Sequence, residues 1–183
     1  GFLQAKCALG NMLIKGEGGA AEPERGVALC RQAADAGDPN AQADMGDHYG
    51  GGRGVAQDYA MARQWYERAA AQRQRNAAFQ RGVLDWNGLG GPIDLVSASR
   101  WLEQAYEAGR KDAAILVGRS AFVRAVPNAP RGPVDVVLLA QAKRWYEIVV
   151  VEDPDPEARS RAAVMLAQIS GYEALAREQT GGE

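Results

Sequence analysis

The chain's single histidine, His48, limits at once the chemistry its 183 residues can do. A Ser–His–Asp triad would have to recruit it, and a site with two histidine ligands cannot be built. No Gly-x-Ser-x-Gly elbow presents a serine nucleophile. His48 shares a 36-residue spacing with Met12, Leu84 and Ser120, a column of mixed size and polarity. Such a column reads as structural or solvent-facing. The run Gly50-Gly51-Gly52-Arg53-Gly54 has a phosphate loop's composition but lacks the Lys-Ser/Thr ending and the preceding strand. It reads as a linker that breaks a helix. The sequence therefore predicts no enzyme, no cofactor and no metal site.

Cys7 and Cys30 are the remaining reactive pair, too few for a disulfide framework. If the first hairpin turns near residues 18–19, positions 7 and 30 lie at one height on antiparallel helices. Such helices pack about 8–10 Å apart, and a bridge needs Cα atoms within roughly 7 Å. The alternative is two buried thiols acting as small apolar residues. A bridge would imply an oxidising compartment.

The elements that position these residues follow from a period. Gly10, Gly46, Gly82 and Gly118 are each 36 residues apart, and Ala41, Ala77 and Ala113 precede the last three at a fixed distance. Trp65 and Trp101, Ala62 and Ala98, and Ala33, Ala69 and Ala105 hold the same register. A period of this length marks a repeat array. Each unit reads as two helices. In the second, Asp38 caps a helix over 39–49 with Pro39 at its first position, and the glycine run ends it. A helix from Asp58 to about Gln72 then puts Ala62, Trp65, Tyr66 and Ala69 on one face. In the third unit Gly88, Gly90, Gly91 and Pro92 form the break, and Asp94 caps the next helix. No alternation of strand type is present. The fold class is all-α, an α/α solenoid.

The expected units are approximately 3–38, 39–74, 75–110 and 111–156 of one domain over 1–183. The fourth carries eight extra residues, a loop at 125–134 containing Pro127, Pro130 and Pro133, none of which can continue a helix. Leu139, Ala142, Trp145 and Tyr146 then form the stripe of a helix that Asp153-Pro154-Asp155-Pro156 ends. Capping helices over 157–178 follow, one across 158–170 and a shorter one across 172–177, and residues 180–183 fray.

Net charge is −2, which gives no whole-molecule field for nucleic acid or anionic membrane. Residues 53–81 nonetheless carry six arginines against Asp58 and Glu67. A solvated helix face is the favoured reading and a docking patch for an acidic partner the alternative. The apolar run around Ile148 to Val151 is far too short to span a membrane. The first residues lack signal-peptide character, but Gly1 begins part-way into a repeat, so the chain reads as a piece of something longer.

Residues 43–49 (Ala-Asp-Met-Gly-Asp-His-Tyr), Gly52-Arg53-Gly54-Val55, Asp58, Ala62, Trp65-Tyr66 and Ala69-Ala70 together resemble the Sel1-like repeat, a relative of the tetratricopeptide repeat with a longer inter-helix loop. The third unit keeps Gly82, Gly88, Asp94, Ala98, Trp101 and Ala105. The first has Leu29 and Cys30 where the family has aromatics, and the fourth lacks the Gly-Val loop. The resemblance runs from about Ala5 to Ser170. It implies a right-handed superhelix whose concave side binds peptides or proteins, a non-catalytic scaffold or adaptor, and a periplasmic or cell-envelope setting in bacteria. It leaves the partner open.

By the same resemblance the first helix of each unit lines the concave surface. Phe79, Val83 and Trp86 share one face there, and Ile115 and Phe122 echo them one unit later. Core packing is the competing reading, since every amphipathic helix has such a stripe. Asn40, Asn76 and Asp112 recur at 36-residue spacing where these helices start, to bond an extended backbone or to cap helices. Asp47 and Arg119, which follow Gly46 and Gly118, complete the candidate set. A protein or peptide is the expected partner. A carbohydrate-handling module, with Trp86 and Phe122 stacking on sugars, is the alternative.

Overall fold

The computed structural model describes residues 1–128 and 132–180, the last without its side chain. Pro130 of the inserted loop and residues 181–183 of the tail lie outside the described residues. Among the described residues there are nine α-helices and no strand. They are α1 (Phe2–Lys15), α2 (Pro23–Asp35), α3 (Pro39–Gly51), α4 (Tyr59–Ala71), α5 (Arg75–Asn87), α6 (Leu95–Glu107), α7 (Ala113–Ala125), α8 (Val136–Glu152) and α9 (Pro156–Thr180).

The chain divides into two compact units, Gly1–Asp94 and Leu95–Glu183, where the sequence suggests one domain. The division falls at the inter-helix loop of the third repeat, so α5 belongs to the first unit and α6 to the second. Within each unit, helices adjacent in the chain pack on one another. The inserted loop lies between α7 and α8 as expected, with Pro127 and Pro133 both outside helix.

Local chemistry sets the helix boundaries. Asp38 Oδ1 accepts from the Ala41 amide at 2.8 Å, Asp58 Oδ1 from Met61 at 3.0 Å, and Asp135 Oδ1 from Val137 and Leu138 at 3.0 Å. Each satisfies amides that have no partner within the helix. Gln74 does the same for α5, its Oε1 accepting from Ala77 at 2.7 Å. Asn40 and Asn76 are therefore not caps; they sit inside the first turns that Asp38 and Gln74 close. Asp112 stands at the N-cap of α7 without a side-chain cap bond. The helices α1, α3 and α5 all stop on a left-handed glycine, Gly16, Gly52 and Gly88, one period apart (φ 72°, 63° and 66°). Gly50 and Gly51 are still helical, so Gly52 makes the break.

At α9 the structure departs from the expected pair of capping helices. One helix runs through 156–180. Gly171 falls between the two expected helices, and nothing lies within 4 Å of where its side chain would start. With no proline after Pro156 and no packing partner imposing a turn, the cost of one glycine, about 1 kcal/mol, does not stop the helix.

The 36-residue glycine column is a column of close approach. A Cβ on Gly46 would meet the Tyr66 ring at 2.4 Å, and one on Gly118 would meet the Tyr146 ring at 3.3 Å. In the first repeat the ring is missing and Cys30 occupies its place. There α1 and α2 close until a Cβ on Gly10 would lie 2.4 Å from the Gly26 carbonyl oxygen.

Candidate functional site

Two grooves run between helices that begin successive repeats. One, in the first unit, has a volume of about 290 Å³ and lies between α1 and α3. Its α1 wall is Gln4, Cys7, Ala8 and Asn11. The other, in the second unit, has a volume of about 780 Å³ and lies between α7 and α9. Its α7 wall begins with Asp112, Ile115, Leu116 and Arg119. These are the same four repeat positions, three periods further on. The repeat fixes where a groove wall stands, and the residues there decide its chemistry.

The first groove is polar. Asp38, Asn40 and Asp44 come from α3 and its cap. Asp44 Oδ2 accepts from Asn11 Nδ2 at 2.8 Å and lies 3.3 Å from Cys7 Sγ. Burial pushes the Asp44 carboxyl above its ordinary range, against the pull of the Asn11 hydrogen bond. Cys7 and Cys30 are joined in a disulfide, with Cα atoms 4.0 Å apart. Thus joined, neither sulfur is the thiolate that a metal requires, although both lie within 4.8 Å of the Asp44 carboxylate.

The second groove is apolar. Phe122 and Val123 extend its α7 wall, Val164 and Met165 line it from α9, and the buried Tyr146 of α8 forms its floor. Val123 is 42% exposed and Val164 57%. Phe122 meets Tyr172 edge to face, centroids 5.7 Å apart, which fixes the ring. Burial pushes the Tyr146 phenol up to about 12, and the Arg119 charge pulls the other way. Arg119, Ser160 and Arg161 supply polar atoms along the rims.

Of the residues singled out in the sequence, Asp112, Ile115, Arg119 and Phe122 come together in the larger groove and Asn40 in the smaller. Phe79, Val83 and Trp86 are half-buried on α5 and line neither groove. Asn76 is exposed in the first turn of α5. Asp47 accepts from the Tyr66 hydroxyl at 2.6 Å and raises that phenol's pKa together with burial, so it serves the packing of its own repeat. His48 is 4% exposed and makes no hydrogen bond from either ring nitrogen.

The sequence missed the α9 wall, because Val164 and Met165 follow the insertion and fall outside the period. It also missed Asp85. This carboxylate is fully buried and takes ion pairs from Arg63 and Arg81. Two arginines of the basic run are thus turned inward rather than solvated or kept for a partner. A third, Arg68, lies over the Trp65 ring at 4.7 Å.

Residues 3–38, 39–73 and 75–109 each match the Sel1 repeat, and together they cover more than half of the chain. The chain belongs to the Sel1 repeat family. Two curated relatives of this Sel1 chain are plant proteins of Arabidopsis thaliana, each described as an ERAD-associated E3 ubiquitin-protein ligase component. HRD3A is 27% identical over 142 residues (71% of this chain, 20% of HRD3A), and HRD3B is 33% identical over 85 residues (46% and 14%). The Sel1 chain thus spans a fifth or less of these relatives.

Among solved structures, a Sel1 repeat protein of Oxalobacter formigenes superposes with a TM-score of 0.68 at 23% identity, covering 91% of this chain and 61% of that one. The protein c5321, a protective antigen of uropathogenic Escherichia coli with the same repeat fold, gives 0.65 at 25% identity (91% and 38%). The cysteine-rich protein B of Helicobacter pylori gives 0.51 at 21% identity (61% and 86%). Sel1 repeats are protein-interaction repeats, and among the described residues no helix is long and apolar enough to cross a membrane.

Proposed function

We propose that this chain is a non-catalytic adaptor that holds a protein or peptide partner in the α7/α9 groove. The observation that carries this reading is the apolar lining of that groove, with Val123 and Val164 open to solvent between two helices. Exposed aliphatic side chains in a concave site are anchors for a partner's side chains. The sugar-binding alternative relied on the flat faces of Trp86 and Phe122. Trp86 lines neither groove, and Phe122 stands in the larger one among the aliphatic Ile115, Leu116, Val123, Val164 and Met165, a lining that favours side chains over sugar rings.

We further propose an oxidising setting, on the ground that a Cys7–Cys30 bridge persists in such compartments, and take a bacterial cell-envelope assembly as one setting of that kind. Val164→Asp tests the groove. It places a charge on an exposed position, so helicity and melting temperature stay as in wild type while capture of the native partner falls at least tenfold. Unchanged capture by the folded variant would refute the groove.

A further inference from the structure

The second repeat sets a carboxylate against the bridge of the first. Cys7 stands on α1, Cys30 on α2 and Asp44 on α3, and a ligating atom of each lies within 4.8 Å of the other two. The repeat itself does not call for this set. One period on, Cys7 becomes Ala43 and Cys30 becomes Tyr66, while Asp44 has Ala8 before it and Gln80 after it. Asp44 Oδ2 lies 3.3 Å from Cys7 Sγ. Asn11 spans the cluster, donating from Nδ2 to Asp44 at 2.8 Å with its Oδ1 3.8 Å from Cys30 Sγ. The polar groove opens onto Cys7, Asn11 and Asp44, which gives a small solute a way in.

We propose that this cluster is a redox-gated site for a thiophilic divalent cation of the zinc type. Bridged, it holds no ion; reduced, Cys7, Cys30 and Asp44 bind one. The reductant is a dithiol. One of its thiolates attacks Cys7 Sγ, the sulfur at the groove; the Cys7–Cys30 bond breaks, and Cys30 leaves as a thiolate that takes up a proton. The second thiolate of the reductant then displaces Cys7, which takes up the other proton, and the reductant departs as its own disulfide. The ion sends one proton from each thiol into water. Two thiolates and a carboxylate are donors that zinc accepts, and water from the groove completes a tetrahedral set. Asn11 orients the carboxylate from outside, the usual role of a second partner at a metal ligand. The bridge ties α1 only to α2, whereas the ion adds α3 and so links the first repeat to the second. Bridge and ion exclude one another: the bridge belongs to the oxidising setting above, the ion to a compartment that keeps thiols reduced.

Zinc titration of the full chain tests this, before and after reduction by a dithiol that is then removed without oxygen. The reduced chain binds a single ion, and cobalt in place of zinc gives thiolate-to-metal charge-transfer absorption; the bridged chain gives neither. Asp44→Asn keeps the acceptor that Asn11 needs, yet weakens zinc binding about tenfold or more, at least the loss typical of an outer partner. Cys7→Ser/Cys30→Ser abolishes the absorption. Where reduction loosens α1 from α2, zinc restores the lost helicity. Equal zinc binding by the bridged and reduced chains, or none by a reduced chain with both thiols free, would overturn the site. So would binding that either Asp44→Asn or Cys7→Ser/Cys30→Ser leaves unchanged.

Discussion

The two grooves share a wall built from the same four repeat positions, yet one is small and polar and the other large and apolar. At those positions α1 carries Gln4, Cys7, Ala8 and Asn11, and α7 carries Asp112, Ile115, Leu116 and Arg119. The exchanges Cys7 for Ile115 and Ala8 for Leu116 turn a surface that fills itself into one that asks to be filled. In the first groove, Cys7 spends its side chain on Cys30, and Asn11 spends its own on Asp44. In the second, the aliphatic groups have no polar partner to find. The columns that define the repeat face inward and are nearly constant, whereas the wall positions are free to vary. Binding specificity in this architecture belongs to the wall positions.

The sharpest way to break the comparison is to remove the staple that the first unit has and the second lacks. Cys7→Ser/Cys30→Ser should cost the first unit about 2–4 kcal/mol, the range for a bridge closing a loop of this size; here the separation is 23 residues. Thermal melting with and without reductant reads that loss. Peptide binding at the α7/α9 groove should survive, because none of its lining residues belongs to the first unit. Mass measurement after alkylation under native conditions provides the check. Two alkylated thiols in the untreated protein would remove the bridge and the oxidising setting inferred from it.

A second and smaller effect compares how the hairpins close. Gly10→Ala in the first unit drives a Cβ against the backbone carbonyl of Gly26, which can move only by parting α1 from α2. Gly118→Ala in the second meets the Trp145 Cβ at 3.2 Å and the Tyr146 ring at 3.3 Å, neighbours that need give only a few tenths of an ångström. Overpacking typically costs about 1–3 kcal/mol. Gly10→Ala should sit at the upper end of that range and Gly118→Ala at or below the lower. Equal losses in chemical denaturation would show that glycine serves both hairpins alike and that the missing ring at Cys30 has no consequence.

How much was legible follows from the same division. The period was written in glycine and alanine columns, so the helices of the repeats, the glycine breaks after α3 and α5 and part of the α7 wall could be read from the sequence. Ile115, Arg119 and Phe122 were found because they hold fixed offsets from Gly118. Val164, Met165 and Arg161 were not, because the eight-residue insertion takes α9 out of register and removes the offset. Asp85 was invisible for another reason. Its counterparts one period either side are Tyr49 and Ala121, so no column announces a charge, and only the fold brings Arg63 and Arg81 to it. Asn40 and Asn76 recur faithfully, yet Asp38 and Gln74 do the capping. Recurrence marks a position, and hydrogen-bond geometry assigns its role.

The smallest effect concerns one column that the units fill differently. At the position that carries His48 in the first unit, the second carries Ser120, two periods on. Ser120 is fully satisfied: it accepts from Ser99 Oγ at 2.7 Å and donates to the Leu95 carbonyl at 2.8 Å. His48 is buried with neither nitrogen bonded. Burial lowers its pKa from 6.5, the Arg53 charge lowers it further, and Asp47 opposes both. A histidine with a depressed folded-state pKa binds more protons when unfolded, so stability rises with pH across the gap between the two values. The first unit should therefore lose stability as pH falls below about 6.5 and stop losing it below the folded-state value. His48→Leu, which borrows the residue found at Leu84, should remove that slope while leaving stability at neutral pH unchanged or higher. The readout is the difference between the wild-type and variant melting profiles from neutral to mildly acidic pH, in which titrations common to both cancel. A flat difference would show that His48 reaches water in solution, and that the two units fill this column with equivalent polar groups after all.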